Sequence, residues 1–202
     1  MMKLLYTPNS PYARRARLAI HTAGLQGRVE MIDIDPREAN INELLSRNPS
    51  GKVPLLITDQ GAALCESLVI ARHLDQAAPG KLYPIDPAAL EQALEIEGIA
   101  SALMDSLFVR ARENRRENAA ERSRNVIDLE HARAVRCYDA LQSRAASFGA
   151  TLDMATITTL CCLGYADGRH RADNWRDGRP ELATWYERTA QEPATAASTP
   201  TF

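Results

Sequence analysis

Two short segments of the sequence carry residue types that could bind an extended, peptide-like ligand. The first is Val53-Pro54, which precedes the apolar run Leu55–Ile57, a pattern that indicates a short buried strand. Proline cannot donate a hydrogen bond to a strand ladder, and an X–Pro bond adopts the cis form at a cost of only about 0.5–1 kcal/mol. A cis bond here would leave the main-chain N–H and C=O of Val53 facing outward, where a ligand backbone could pair with them.

The second segment is Glu66-Ser67, at the start of a stretch with helical periodicity that runs through Leu74. Its carboxylate and hydroxyl lie beside the free N–H groups and the positive end of a helix, where an anion binds favourably. Taken singly, each segment has an ordinary explanation, a trans proline at a strand start or a helix cap. Their combination, at this spacing and in this order, favours a ligand site.

The elements that must position these segments are short and alternate in type. Lys3 to Tyr6 is predicted to be a strand, followed by the turn Thr7 to Tyr12. Pro11 suits the first position of a helix, which makes Ser10 its natural N-cap. The later predicted elements are a helix to Gly24, a strand at residues 29–34, a helix at Asn40 to Arg47, the strand after Pro54, a strand at residues 62–64 and a helix from Glu66 to near Ala78.

This β-α-β-α-β-β-α order over residues 1–80 predicts an α/β domain with a thioredoxin-like fold. Residues 81–87 contain two prolines, Pro84 and Pro87, and are predicted to be a linker. The remainder, residues 88–202, shows no strand pattern and is predicted to be an all-α bundle. Its predicted helices span residues 88–118, 121–147, 153–165 and 180–189. The tail from Pro193 is expected to lie over the surface or fray.

The bulk composition excludes several classes of protein. The chain has 202 residues, of which 45% are hydrophobic and 25% charged, as in ordinary globular domains. A net charge of −2 and a pI near 6.1 give no general attraction to nucleic acid or acidic membranes. No apolar run approaches the ~18–20 residues of a membrane span, and the pattern of a secretory signal is missing. We therefore expect a soluble cytoplasmic protein without nucleic-acid or membrane partners.

The cysteines and histidines predict no metal site. The cysteines form no Cys-x-x-Cys pair and have no histidine at metal-ligand spacing; they are Cys65, Cys137, Cys161 and Cys162. The histidines are scattered along the chain without ligand-like partners; they are His21, His73, His131 and His170. Surface or internally satisfied histidines are the simpler interpretation.

Ser10-Pro11-Tyr12, Val53-Pro54 and Glu66-Ser67, ahead of a helical second domain, resemble the cytosolic glutathione S-transferase family. The resemblance covers nearly the whole chain, has a theta/omega-like N-terminal motif and is similar to bacterial, serine-type members in the segments 163–167, 175–180 and 185–186. It implies that the first domain binds glutathione and that the second contributes to the pocket for the co-substrate. It also implies a homodimer.

The resemblance assigns a role to each residue of the predicted glutathione site. The main chain of Val53 pairs with the cysteinyl part of glutathione, and Pro54 is the cis-proline. Glu66 pairs with the γ-glutamyl amine, while Ser67 and the helix N–H groups bind the γ-glutamyl carboxylate. Asn9 and Lys52 complete the predicted glutathione-binding set.

Ser10 is the predicted catalytic residue, because a hydroxyl at a helix N-terminus can donate to the glutathione sulfur and stabilise its thiolate. Asn9 is the neighbour best able to replace it, and a plain N-cap is the simpler explanation of Ser10. A serine, rather than a cysteine able to form a mixed disulfide, argues against thiol transfer. The predicted function is transfer of glutathione to a small hydrophobic electrophile, with detoxification as its purpose and no metal. A glutathione-dependent isomerase and a non-catalytic binding or regulatory protein are the alternatives.

One segment departs from the family pattern. Many members begin the central helix of the second domain with Ser/Thr-x-x-Asp, whereas this chain has Asp153-Met154-Ala155-Thr156. Asp153 can still cap the helix and Thr156 can reciprocate, so we expect a surviving cap of altered strength.

Overall fold

The computed structural model describes residues 1–35 and 41–202. The strands are β1 (Met2–Tyr6), β2 (Val29–Asp33), β3 (Leu55–Ile57) and β4 (Ala63–Cys65). The helices are α1 (Pro11–Thr22), α2 (Ile41–Arg47), α3 (Ser67–Ala77), α4 (Pro87–Asn114), α5 (Arg124–Gln142), α6 (Met154–Arg169), α7 (Pro180–Ala190) and α8 (Pro193–Ala197). The predicted first residue of α2, Asn40, lies outside the described residues.

The four strands form one mixed sheet in the order β2-β1-β3-β4. β1 and β2 are parallel because α1 connects them, whereas β3 is antiparallel to both β1 and β4. The consecutive residues Leu4 and Leu5 are both 0% exposed, and successive side chains of a strand point to opposite faces. β1 is therefore buried on both faces of the sheet. The predicted thioredoxin-like element order is confirmed.

One hydrophobic cluster packs against β1 and β3 along the whole length of β3. It contains Leu5, Ile34, Leu44, Leu55 and Ile57. Val53 and Cys65 pack against this cluster as partly buried side chains. Packing thus anchors Val53, which precedes β3, whereas Cys65 is anchored by both packing and strand pairing.

The second half of the chain is helical, as predicted. Residues 91–192, all of which the structure describes, contain helices and no strand. Every residue of α6 from Met154 to Ala166 is buried, as expected for a helix at the centre of a bundle. The Asp153 side chain accepts from the Thr156 N–H at 2.9 Å, and the Thr156 hydroxyl accepts from the Asp153 N–H at 2.9 Å. The cap predicted for this helix is present as a complete capping box.

The chain packs into two compact units, one of residues 1–90 with 193–201 and one of residues 91–192 with Phe202. The tail from Pro193, which was expected to lie over the surface or fray, begins with α8 and belongs to the first unit. Arg14, which is 1% exposed, donates to the Thr195 carbonyl and to the Ser198 hydroxyl, each at 3.2 Å. Of the two alternatives expected for the tail, the structure shows packing on the first unit and not fraying, because Thr195 and Ser198 provide the acceptors of a buried guanidinium.

No helix within residues 1–35 and 41–202 combines the length and the apolar character that a membrane crossing requires.

Candidate functional site

The strand register brings the predicted site segments to one end of the sheet. Leu5 of β1 pairs with Leu55 of β3, and Leu55 pairs with Cys65 of β4. The turn after β1 that leads to Ser10, the residues before β3, and Glu66 after β4 therefore all leave the sheet at the same end. Since neighbouring strands lie about 4.8 Å apart, the ends of β1 and β4 are separated by about 10 Å. This distance suits a ligand the size of a short peptide.

A buried asparagine shapes the loop that enters β3. The Asn48 amide donates to the Lys52 carbonyl at 2.8 Å, and its side-chain oxygen accepts from the Ser50 N–H at 3.1 Å and the Ser50 hydroxyl at 2.8 Å. Asn48 is 2% exposed, so these bonds form away from solvent. The Lys52 side chain, by contrast, is exposed. The loop thus fixes the main chain immediately before Val53 and leaves a cation at the surface.

The Val53–Pro54 peptide bond is cis. The β3 ladder begins only at Leu55, and no main-chain hydrogen bond of Val53 occurs within the described part of the chain. The N–H and C=O of Val53 are therefore available to pair with an extended ligand.

The N-terminus of α3 has no side-chain cap. Glu66 occupies the N-cap position, is exposed, and makes no capping bond through its carboxylate. The first main-chain bond of the helix runs from the Ile70 N–H to the Glu66 carbonyl at 3.0 Å. The N–H groups of residues 67–69 precede that bond and form a site suited to an anion.

Glu66 also has an unusual backbone, with φ 69° and ψ 121°. L-residues rarely adopt a positive φ, and such strain is concentrated at ligand sites in proteins. The ordinary explanation of Glu66 as a simple helix cap therefore does not fit. Its exposed carboxylate makes no capping hydrogen bond and can therefore pair with a ligand cation.

Ser67 is buried, at 1% exposure, and it has a partner that the sequence did not predict. Its hydroxyl oxygen accepts from Nε of Arg15 at 3.0 Å and from Nη2 of Arg15 at 2.6 Å. Arg15 lies on α1 four residues after the buried Pro11 and three before the buried Leu18. A charged residue on such an apolar stripe needs a polar partner inside the protein. The position of Arg15 on the stripe is therefore the feature of the sequence that could have indicated a buried contact.

Ser10 caps α1, as predicted. Its hydroxyl oxygen accepts from the Ala13 N–H at 3.2 Å, and its backbone is extended, with φ −81° and ψ 122°. A hydroxyl has two acceptor lone pairs and one donor O–H. Capping uses an acceptor position only, so Ser10 can still donate to a ligand atom.

Asn9, one of the predicted site residues, forms a hydrogen bond with the tail. Its side-chain oxygen accepts from the Thr201 N–H at 3.0 Å. This bond holds residues 193–201 next to the turn that carries Ser10. Asn9 therefore positions the tail in this structure, and its amide nitrogen is the group left to serve a ligand.

The Cys65 thiol next to Glu66 does not suit chemistry at this site. Burial, and then the neighbouring Glu66 carboxylate, raise the pKa of Cys65 above its usual range. Reactive thiols have a lowered pKa and lie in electropositive surroundings. Cys65 therefore serves packing at the end of β4.

In the second unit, a buried arginine joins two histidines that the sequence treated as isolated. Arg110 donates to Nδ1 of His170 at 3.2 Å, contacts Nδ1 of His131 at 2.6 Å and forms an ion pair with Asp173. His170 must then accept at Nδ1 and donate from Nε2 to the Leu107 carbonyl at 2.9 Å. His170 is thus a buried histidine whose hydrogen bonds are satisfied within the protein, one of the two interpretations that the sequence offered, although its partner Arg110 was not predicted.

Burial, and then the positive charge of Arg110, lower the pKa of His170 to about 4. Within the described ranges, no group of His, Cys, Asp and Glu side chains is arranged to hold a metal ion.

Comparisons with known proteins agree on one family. The chain matches the family models described as glutathione S-transferase, N-terminal domain, over residues 4–82, and glutathione S-transferase, C-terminal domain, over residues 117–188. It is 31% identical over 191 residues to the uncharacterized GST-like protein YibF of Escherichia coli (strain K12), with 92% of each chain covered. It is also 32% identical over 115 residues to glutathione S-transferase omega-1 of Sus scrofa, covering 55% of this chain and 44% of that protein.

Two solved structures are similar along the full length of the chain. A glutathione transferase family member from Pseudomonas fluorescens Pf-5 with bound glutathione has a TM-score of 0.90 at 30% identity, with 100% of both chains covered. A glutathione S-transferase from Methylobacillus flagellatus KT with GSH bound has a TM-score of 0.89 at 25% identity, also with 100% of both chains covered.

Proposed function

The chain belongs to the glutathione S-transferase family, and from this we propose that it binds glutathione and transfers it to a small hydrophobic electrophile. The observation that carries the proposal is the convergence of Ser10, the unpaired Val53 main chain and the uncapped start of α3 at one end of the sheet. The similar Pseudomonas fluorescens family member, whose structure contains glutathione, supports the choice of ligand.

The proposed binding mode uses each part of the tripeptide. The cysteinyl residue pairs with the N–H and C=O of Val53, as a strand would. The γ-glutamyl amine pairs with the exposed Glu66 carboxylate, and the γ-glutamyl carboxylate binds at the start of α3, where Ser67 is placed. The exposed Lys52 suits the glycyl carboxylate at the other end.

The proposed chemistry depends on the Ser10 O–H. It donates a hydrogen bond to the glutathione sulfur and stabilises the thiolate, whose proton is released to solvent. The thiolate attacks an electrophilic carbon, a sulfur–carbon bond forms, and the leaving group departs with its electron pair. The product is a glutathione thioether, because the glutathione sulfur replaces the leaving group on carbon, and Ser10 forms no covalent bond in this step.

We also propose that the protein detoxifies reactive compounds in the cytoplasm as a homodimer. In this proposal residues 1–80 are the glutathione-binding domain, residues 81–87 the linker and residues 88–202 the helical domain. Sedimentation equilibrium should give twice the chain mass of 22.3 kDa. A single-chain mass at micromolar concentration would refute the homodimer without affecting glutathione binding.

Isothermal titration calorimetry with glutathione at neutral pH tests the binding proposal. Wild-type protein should bind in the micromolar to millimolar range, and Glu66→Ala should weaken binding about 10- to 100-fold, as loss of a charge-assisted contact predicts. Glu66→Gln is the matched control, because it keeps the size and polarity of the side chain and removes only its charge. It should lose nearly as much affinity as Glu66→Ala. Absence of wild-type binding would overturn the proposal.

Turnover separates the proposed transferase from its alternatives. A panel of aryl, benzyl and alkyl halides, analysed by mass spectrometry, should yield thioether products with at least one electrophile. Conversion of a substrate with full return of glutathione would indicate an isomerase. Tight binding without any turnover would indicate a binding or regulatory protein.

A further inference from the structure

The contact between Arg15 and Ser67 joins α1 to the start of α3 inside the first unit. Arg15 is 3% exposed and Ser67 is 1% exposed, so the contact is shielded from water. Two different nitrogens of one guanidinium, Nε and Nη2, approach the same hydroxyl oxygen at 3.0 Å and 2.6 Å.

This arrangement fixes what the Ser67 hydroxyl can do. A serine oxygen has two lone pairs, and the two N–H groups of Arg15 occupy both of them. The remaining capacity of Ser67 is its O–H, which can only donate. In the part of the chain that the structure describes, no acceptor for this O–H is found. A ligand carboxylate can supply this acceptor.

From this geometry we infer that Arg15 is a positioning residue that makes Ser67 an obligate donor and so selects a carboxylate, rather than an ammonium group, at the start of α3. The inference rests on the proposed binding of glutathione. The proposed binding mode already places the γ-glutamyl carboxylate at Ser67 and the γ-glutamyl amine at Glu66, and the inference adds that Arg15 enforces this placement. Arg15 acts through Ser67 and does not contact the ligand.

The orientation of the γ-glutamyl group follows from this polarity. Its amine and carboxylate are attached to the same carbon and are similar in size, so shape alone does not distinguish them. A serine with a free lone pair could accept from the ammonium group as readily as it donates to the carboxylate. With both lone pairs occupied by Arg15, only the carboxylate can be accommodated at Ser67.

A purely structural role for Arg15 makes a different prediction. If the contact only joined α1 to α3, its loss would weaken every ligand of the site by the same factor. A positioning role acts only through the ligand carboxylate. The discriminating quantity is therefore the ratio of two affinities, one for glutathione and one for 4-aminobutyryl-Cys-Gly, which is glutathione without its γ-glutamyl carboxylate.

The experiment measures both dissociation constants by calorimetry for wild type and for Arg15→Met, which keeps the apolar stem and removes the guanidinium. In wild type, loss of the ligand carboxylate should weaken binding about 30-fold. We call this ratio of the two dissociation constants the carboxylate penalty. In Arg15→Met the carboxylate penalty should fall to about 3-fold. The reason is that glutathione should lose about 10-fold in affinity, whereas the decarboxylated ligand should lose less than about 2-fold. Arg15→Lys, which can donate one bond to Ser67, should restore part of the penalty.

Two further variants complete the comparison. Ser67→Ala retains Arg15 and removes the donor, so the loss of affinity caused by removing the ligand carboxylate should match that in Arg15→Met. If Arg15→Met does not fold, Arg15→Lys, which can donate only one bond to Ser67, provides the test. Arg14→Met is the matched control, because it removes a guanidinium that is equally buried and lies on the same helix. The Arg14 guanidinium contacts Thr195 and Ser198 and not Ser67. The carboxylate penalty of Arg14→Met should remain at the wild-type value.

Each outcome has one meaning. A fall in the penalty for Arg15→Met and Ser67→Ala, but not for Arg14→Met, supports the inference. Equal weakening of both ligands by Arg15→Met, or an unchanged penalty in both Arg15→Met and Ser67→Ala, overturns it. Wild-type protein that binds neither ligand refutes the proposed function itself, which is a separate result.

Discussion

The Ser10 oxygen caps α1, and the proposed function adds a second role, in which its O–H donates to the glutathione sulfur. Three substitutions separate these roles. Ser10→Ala removes both, Ser10→Gly removes the hydroxyl but keeps most of the capping preference, and Ser10→Thr keeps both. We expect Ser10→Ala to lower the unfolding free energy by about 1 kcal/mol and Ser10→Gly by only a few tenths. Both should lower kcat/KM about equally, while Ser10→Thr retains activity.

The pH dependence of the conjugation rate gives a second measurement on the same variants. Without the Ser10 donor, the pKa of bound glutathione should move toward the free-thiol value of about 8.5. The rate of Ser10→Gly should therefore rise at higher pH than that of wild type. If kcat/KM fell in proportion to the unfolding free energy across the three variants, the result would contradict a catalytic role. Ser10 would then serve only as the cap of α1.

Glu66 carries a backbone conformation that favours glycine. Its φ of 69° is costly for an L-residue by about 1–3 kcal/mol. We expect Glu66→Gly to raise the unfolding free energy in urea by about 1 kcal/mol and at the same time to weaken glutathione binding. Glu66→Ala is the matched control, because it removes the same carboxylate but keeps the Cβ, so it should not stabilise the fold. Equal stability of the two variants would refute stored strain at this position.

The capping box of α6 is the prediction at the scale of an element. Asp153 and Thr156 exchange two bonds of 2.9 Å, at the start of a helix whose residues from Met154 to Ala166 are all buried. Asp153→Ala should lower the unfolding free energy by about 1–2 kcal/mol, because the first-turn N–H groups lose their acceptor. The double change Asp153→Ser with Thr156→Asp restores the family order and should recover most of the loss. Urea denaturation measures both, and no recovery would mean that the box depends on this particular order.

Local patterns predicted most of the elements because each is specified by neighbouring residues. Ser10-Pro11 determines where α1 begins, and the apolar run after Pro54 determines β3. The three candidate segments were predicted for the same reason. Their meeting at one end of the sheet required the strand register, which no single segment contains.

The missed interactions join residues that are far apart in the sequence. Arg15 and Ser67 are 52 residues apart, and Arg110 and His170 are 60 apart. Arginine is a good helix former on either an exposed or a buried face, so its type does not reveal its surroundings. A sequence pattern can show that a polar residue lies on an apolar stripe, but it does not identify the partner.

At the scale of the whole molecule, the tail is held to the first unit by a small number of polar contacts. Arg14 donates to Thr195 and Ser198, and Asn9 accepts from Thr201. Arg14→Met should raise amide hydrogen exchange in residues 193–201 at least about 10-fold, because two bonds from a charged donor are lost. Arg17→Met is the control, because it removes an arginine of the same helix whose guanidinium stacks on the Tyr6 ring, 4.8 Å from its centroid, and not on the tail. It should leave exchange in residues 193–201 unchanged. Unchanged exchange in Arg14→Met would show that the bonds from Arg14 do not hold the tail in place.

His170 makes the stability of the folded chain depend on pH in a defined direction. Its pKa is lowered to about 4, whereas an unfolded histidine titrates near 6.5. Between these values the unfolded chain binds more protons, so the stabilising contribution is fully present above pH 6.5 and is lost as the pH falls toward 4. The loss from this residue should reach up to about 3 kcal/mol. Protonation would place a second cation beside Arg110 and remove the acceptor at Nδ1.

Urea unfolding at several pH values, compared between wild type and His170→Asn, isolates this contribution from that of other titrating groups. Asparagine offers Arg110 an acceptor but does not titrate. The difference in unfolding free energy between the two proteins should therefore shrink as the pH falls from 6.5 to 4. His21→Asn changes an exposed histidine of α1 and should give a curve parallel to that of wild type. If the His170→Asn curve is also parallel, the pKa of His170 is not lowered in the folded chain.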